Sequence, residues 1–249
     1  MMQTLLVDLG NTRVKWAIHN GEVLQPSSVL RHRERELSAL LSQAWATLPC
    51  PGRVVVASVA EQARKDQLAN WVQQHWSLSA EFVLSPAQGQ GLQNSYQEPA
   101  RLGCDRWAAM VAAYQVAHSA VCVVDCGSAV TVDVVDAAGQ HLGGLILPGV
   151  QTMHAALTRH TALAPIDFSK SPSSLLGAST QQGIVCGITH AISALVQQTV
   201  SDLQRTIGLH PTCYFTGGDA ELIVPLLQIP YVLDADLVLK GLAIIASAT

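Results

Sequence analysis

The chain has 249 residues, of which 13% are charged and 5% aromatic, and a formal net charge of −4. That length buries a substantial core without disulfide staples. The charge balance excludes both a basic field for nucleic acid and the charge excess of a disordered chain, so the expected partners are small molecules or other subunits.

In chain order, residues 4–9 and 13–18 are predicted as two strands about a Gly-Asn turn, with 22–30 continuing the meander. Residues 34–47 are predicted helical, and RVVVASVA (53–60) is a β-branched run of the buried-strand type. A helix at 61–76, a strand at 81–85 and a glycine-bearing loop at 86–103 follow. WAAMVAAYQVA (107–117) is predicted helical, and 120–136 reads strand, turn, strand. Helices are expected at 150–160 and 181–206, a strand at 212–217, and two helices after it. The alternation argues for an α/β protein.

Cys50, Cys104, Cys122, Cys126, Cys186 and Cys213 form no Cys-x-x-Cys pair and no zinc spacing with histidine, so they read as apolar fillers in a reducing compartment. Asp8 comes too early for a signal-peptide core, and no unbroken apolar run reaches the roughly 18 residues of a span. A cytoplasmic protein with no membrane partner is expected.

Asp8-Leu9-Gly10-Asn11-Thr12 has an echo in Asp125-Cys126-Gly127-Ser128-Ala129, each between two apolar strands. The echo predicts two related lobes, divided as 1–118 and 119–249. Glycine lets a ligand approach the backbone N–H groups, and Asn, Ser or Thr adds neutral donors to phosphate oxygens. A carboxylate repels phosphate unless a metal ion intervenes, so Asp8 and Asp125 read either as cation ligands or as plain turn formers. Gly217-Gly218 opens a third turn, suited to a base or ribose or to an ordinary strand-to-helix bend. No P-loop is present, and the loop with Gly89 and Gly91 lacks the context of a dinucleotide fingerprint.

Taken together, Asp-x-Gly-Asn-Thr-x-x-Lys at Asp8 to Lys15, Gly-Cys-Asp-Arg-Trp at 103–107, Asp-Cys-Gly-Ser-Ala at 125–129, Gly-Gly-x-Ile-x-Pro-Gly at Gly143 to Gly149 and Thr-Gly-Gly-Asp at 216–219 resemble type III pantothenate kinase over essentially the whole chain. The resemblance implies the acetate and sugar kinase, Hsp70 and actin superfamily: duplicated ribonuclease H-like (actin-like ATPase) lobes, each a mixed sheet with helices, with the ATP cleft between them. It implies transfer of the ATP γ-phosphate to pantothenate, with Asp105 as general base.

By the same resemblance, Asp8, Leu9, Gly10, Asn11, Thr12, Arg13, Val14, Lys15 and Ser128 bind ATP. Ser128 stands where the family usually has threonine. Tyr96, Gly103, Cys104, Asp105, Arg106 and Thr180 contact pantothenate, Thr180 from the neighbouring subunit of a homodimer. Asp125 holds a monovalent cation, potassium or ammonium, while Mg2+ accompanies ATP; that Asp8 reaches the Mg2+ through water is inferred from its carboxylate beside phosphate and not from the resemblance.

Residue types alone leave other readings open. Asp105 fits a first-turn helix aspartate, Lys15 an exposed strand lysine, Tyr96 a packed loop aromatic and Arg106 a helix-start charge. Ser179 and Gln182 have capping-box spacing beside Thr180, and Gly183 and Gly187 suit either a dimer seam or an internal contact. A kinase of another small hydroxylated acceptor, or a regulatory protein that keeps the fold without the chemistry, is the competing expectation.

Overall fold

The protein is described by a computed structural model, over residues 3–32, 35–159, 166, 168, 171–172 and 174–248. Contacts divide the chain into two units, Met1–Gln115 with Asp236–Thr249, and Val116–Ala235.

In the first unit β1 (Thr4–Leu9) pairs antiparallel with β2 (Arg13–His19), and β2 with β3 (Ser28–Arg31). After α1 (Leu37–Ala44), β4 (Arg53–Ser58) returns parallel to β1; α2 (Gln62–Trp76) then leads to β5 (Ala80–Phe82), parallel to β4. The sheet order is β3-β2-β1-β4-β5. Strand alternation sends Leu5, Val7, Leu9, Val14, Trp16, Val54 and Val56 into one core with α1 and α2. Trp45 stacks on Trp76 at 5.5 Å and meets Trp16 and Trp71 edge-on there. The same alternation turns Asp8 and its cross-strand neighbour Lys15 to the opposite face. The loop that follows contains a two-residue hairpin, β6 (Gln88–Gly89) and β7 (Leu92–Gln93), whose turn places Gln90 and Gly91 at φ 51° and 81°. It ends in α3 (Cys104–Ala117), which starts three residues before the apolar run at Trp107.

The second unit repeats the plan. β8 (Val121–Cys126), β9 (Ala129–Val135) and β10 (His141–Pro148) form the antiparallel meander. Next come α4 (Val150–Thr158) and α5 (Thr180–Ile207), then β11 (Thr212–Thr216) parallel to β8. A four-residue α6 (Ala220–Ile223) precedes β12 (Tyr231–Leu233), giving the order β10-β9-β8-β11-β12. Ser179 caps α5 by accepting from the Gln182 N–H at 3.2 Å, and Gly208, at φ 65°, closes it. By length and composition α5 is apolar enough to cross a membrane, with mean hydropathy 1.3. That composition equally serves a core helix, and its Ile188, Ile192, Val196 and Val200, at helical spacing, are buried in the core of this unit.

The short hairpin β6–β7 and the strand β12 were not expected, and two further differences bear on the architecture. Strand β10 was not expected: Gly143, at φ 116°, sits at a bulge after His141 and breaks the alternation that marks a strand. And α7 (Leu237–Ser247), placed by sequence in a lobe spanning 119–249, instead lies against β1, β2 and β4 of the first unit. Its apolar residues Leu239 and Leu242 are fully buried.

Candidate active site

In the first unit the functional side chains gather where the parallel strands β1 and β4 end, the edge at which α/β sheets bind ligands. The hairpin closes with the Gly10 N–H donating to Arg13 C=O at 3.0 Å. Ser58, opposite Leu9 in the register, donates its hydroxyl to Leu9 C=O at 3.2 Å. The Ser58 N–H also donates to Cys104 Sγ at 3.1 Å, fastening the start of α3 to the end of β4. The Cys104 side chain is thus directed at Ser58. Burial, with the carboxylates of Asp105 and Asp8 adding to it, pushes the Cys104 thiol up to about 11. Both carboxylates are therefore within electrostatic reach of one buried sulfur.

Asp105 occupies the first turn of α3, where one carboxylate oxygen accepts from the Arg106 N–H at 2.8 Å. The helix dipole favours a negative charge at this end. A Cβ on Gly103 would lie 2.5 Å from Asp105 Oδ1, so the absent side chain leaves the carboxylate its place. Arg106 is only 7% exposed, and it donates to Tyr96 Oη at 3.0 Å with its guanidinium 5.8 Å from the ring centroid. The Tyr96 loop is tied by Asn94, whose amide donates to Pro86 and Pro99 carbonyls at 3.1 Å each. Lys15 is not a loose surface charge: Nζ lies 2.7 Å from Asp236 at the start of α7. Burial raises the Asp236 carboxyl, but hydrogen bonds from Lys15 and Ser27 and the charges of Lys15 and Lys240 outweigh it and hold the group below its ordinary range.

In the second unit the equivalent strand end carries Asp125, opposite Thr216 in the β8/β11 register. Gly217, at φ 91°, has no room for a Cβ, which would strike Asp125 Oδ1 and the Cys126 backbone. Asp219 donates its N–H to Cys126 C=O at 2.9 Å, and burial together with Asp125 and Asp219 pushes the Cys126 thiol up. Ser128 is exposed at the hairpin tip, with its carbonyl taken by the Gly149 N–H at 3.0 Å and Thr152 Oγ1 at 2.7 Å. The second turn is thereby held to the start of α4. Thr180, exposed at the first position of α5, lines an apolar groove of about 570 Å³ between α4 and α5 together with Met153, Leu157, Gly183 and Gly187. No group of three or more His, Cys, Asp or Glu able to hold a metal occurs among the described residues.

A family model for type III pantothenate kinase matches residues 4–202. The chain belongs to the type III pantothenate kinase family. The family member from Nitrosococcus oceani is 38% identical over 250 residues, covering 98% of this chain and 94% of its own. Among solved structures, a putative Baf family transcriptional activator from Campylobacter jejuni aligns with a TM-score of 0.62 at 21% identity, covering 98% of each chain. The activator of 2-hydroxyisocaproyl-CoA dehydratase from Clostridium difficile, solved with bound ADPNP, aligns at 0.58 and 15% identity over 99% of this chain and 95% of its own. At those identities the likeness concerns the fold, the duplicated actin-like ATPase architecture of two mixed sheets with helices.

Against this type III pantothenate kinase framework, the first unit brings Asp8, the Gly10 turn, Gly103, Cys104 and Asp105 to one strand edge, with Arg106 and Tyr96 paired beside them. Sequence reasoning missed Ser58, His32, Asn94, Asp236 and Gly149. Of these only Gly149 stood in a quoted motif; Ser58, His32 and Asp236 act through contacts between segments far apart in the chain, and Asn94 through bonds within its own loop.

Proposed function

We infer that this chain transfers the γ-phosphate of ATP to the primary hydroxyl of pantothenate, giving 4′-phosphopantothenate in the first step of coenzyme A biosynthesis. The family match over residues 4–202 carries the reading. Phosphoryl transfer asks a protein for an aligned acceptor, a proton acceptor and positive charge over the transferring group. Asp105 takes the hydroxyl proton. A carboxylate favoured by a helix N-terminus is a weak base, which suffices because a loose transition state needs little proton removal before the phosphoryl group has largely departed. Tyr96, Gly103, Cys104 and Arg106 form the acceptor pocket, Cys104 through its backbone since its thiol is engaged with Ser58.

Asp8 to Lys15 and Ser128 take the phosphates of ATP. Lys15 supplies positive charge, pre-placed by its ion pair with Asp236. Magnesium and potassium both take oxygen ligands, including carbonyls, water and phosphates, so neither requires a cluster of protein carboxylates. Two carboxylates, Asp125 and Asp219, bear on the buried Cys126, a setting that favours a cation. We assign Asp125 to potassium or ammonium and Asp8 to magnesium through water; these ions neutralise phosphate charge when bound.

The apolar groove beside Thr180 supports a homodimer in which that threonine serves the neighbouring acceptor site. A Cβ at Gly183 or Gly187 meets nothing within 4 Å, so this face of α5 is open to close approach by a second copy. Six free cysteines suit the reducing cytoplasm. The test of Asp105 is its replacement. Asp105→Asn should lower kcat at least about a hundredfold while calorimetry still detects pantothenate binding. Near-normal turnover would remove Asp105 from the mechanism.

A further inference from the structure

We propose that His32 is a positioning residue that holds the phosphate-gripping turn of the first hairpin in its donor-presenting form. The inference rests on the reading that Gly10 to Thr12 hold ATP phosphates. His32 follows β3, whose last residue, Arg31, faces Arg13 at the start of β2, so antiparallel pairing delivers the imidazole to the turn. The ring is fully buried, an unusual place for histidine. Its Nε2 lies 3.1 Å from Gly10 C=O, and its backbone N–H donates to Thr12 C=O at 3.0 Å.

A carbonyl only accepts, so Nε2 carries the proton. The peptide unit is planar and trans, so a carbonyl fixed toward His32 fixes the following N–H on the opposite side. Anchoring Gly10 C=O therefore aims the Asn11 N–H away from His32. A turn that cradles an anion needs this arrangement, with N–H groups forward and carbonyl oxygens withdrawn. Ser58 treats Leu9 C=O in the same way from β4. Nδ1 is buried and has no hydrogen-bond partner among the described residues. Burial first and the Arg64 charge next hold the imidazole below its ordinary value, against the opposing bond to Gly10. The ring is thus held as a neutral donor to Gly10 C=O.

A residue that merely filled the core would change stability, or both substrates alike. A residue that sets this turn acts on ATP. The experiment compares His32→Phe, which keeps an aromatic ring but removes the donor, with His32→Gln, which keeps an N–H donor. Losing one positioning hydrogen bond should raise the ATP KM, and the Kd of a non-hydrolysable ATP analogue, about tenfold. The pantothenate KM should stay within about twofold, and His32→Gln should recover ATP affinity to within about threefold. Should His32→Phe fail to fold, His32→Asn, whose amide is too short to reach Gly10, carries the same expectation. Unchanged ATP affinity, equal rises in both KM values, or no recovery in His32→Gln would overturn the proposal. Lys15→Met on the same hairpin is the reference: if it too leaves ATP affinity untouched, the hairpin is not the ATP grip. If Lys15→Met weakens ATP and His32→Phe does not, the His32 inference alone fails.

Discussion

Gly103 and Gly217 do the same thing in their respective units: each leaves open the space that a Cβ would take from a carboxylate, Asp105 in one and Asp125 in the other. Cysteine chemistry gives a direct check on this packing. Only Cys50 is exposed, and the other five thiols are buried. With Cys104 pushed up to about 11 by burial and two carboxylates, about one molecule in a thousand carries its thiolate at pH 8. A disulfide reagent at pH 8 should titrate one thiol quickly and the remaining five only as the protein unfolds; fast labelling mapped to Cys104 would contradict the burial of the Asp105 shell. The aspartates and glycines of both hairpins were legible in the sequence because their chemistry is local, a turn with a carboxylate before it. His32 and Ser58 were not, because a histidine after one strand and a serine ending another gain meaning only when strand pairing sets them against Gly10 and Leu9.

Among the elements, α7 makes the sharpest demand on sequence. A Cβ on Gly241 would collide with the backbone carbonyl of Ala108 in α3, and a backbone atom cannot swing aside as a side chain tip can. Helix propensity alone favours alanine there by up to about 1 kcal/mol. Overpacking against backbone costs typically about 1–3 kcal/mol and should win. Gly241→Ala is therefore expected to lower the midpoint of urea unfolding, and a higher midpoint would show that the two helices are not in contact. Strands β1, β2, β4, β8 and β9 were legible as short apolar runs bounded by turn residues, and α5 by apolar residues at helical spacing; α2, with only Leu68, Trp71 and Val72 buried, was legible from its length between turn residues. Hairpin β6–β7 was hidden by its two-residue strands, and β10 by paired glycines and a largely exposed face. The expected helices at 34–47 and 150–160 came out as Leu37–Ala44 and Val150–Thr158, and their outermost expected residues, 34 and 160, lie outside the described ones.

At the scale of the whole molecule, the echo of Asp-x-Gly announced the repeated plan: both sheets run meander, parallel return and parallel edge in the same order. The sequence did not announce that the last helix would join the first unit, because an amphipathic or apolar helix carries no mark of which sheet it will cover. Family membership assigns the chemistry to this doubled scaffold. The most direct measurement is ADP release by the purified full chain with magnesium ATP in potassium buffer, with pantothenate present and omitted. Release that requires pantothenate and yields a phosphorylated acceptor is the expected result. No release above background, or the same release without pantothenate, would contradict the assignment of the chain as a pantothenate kinase.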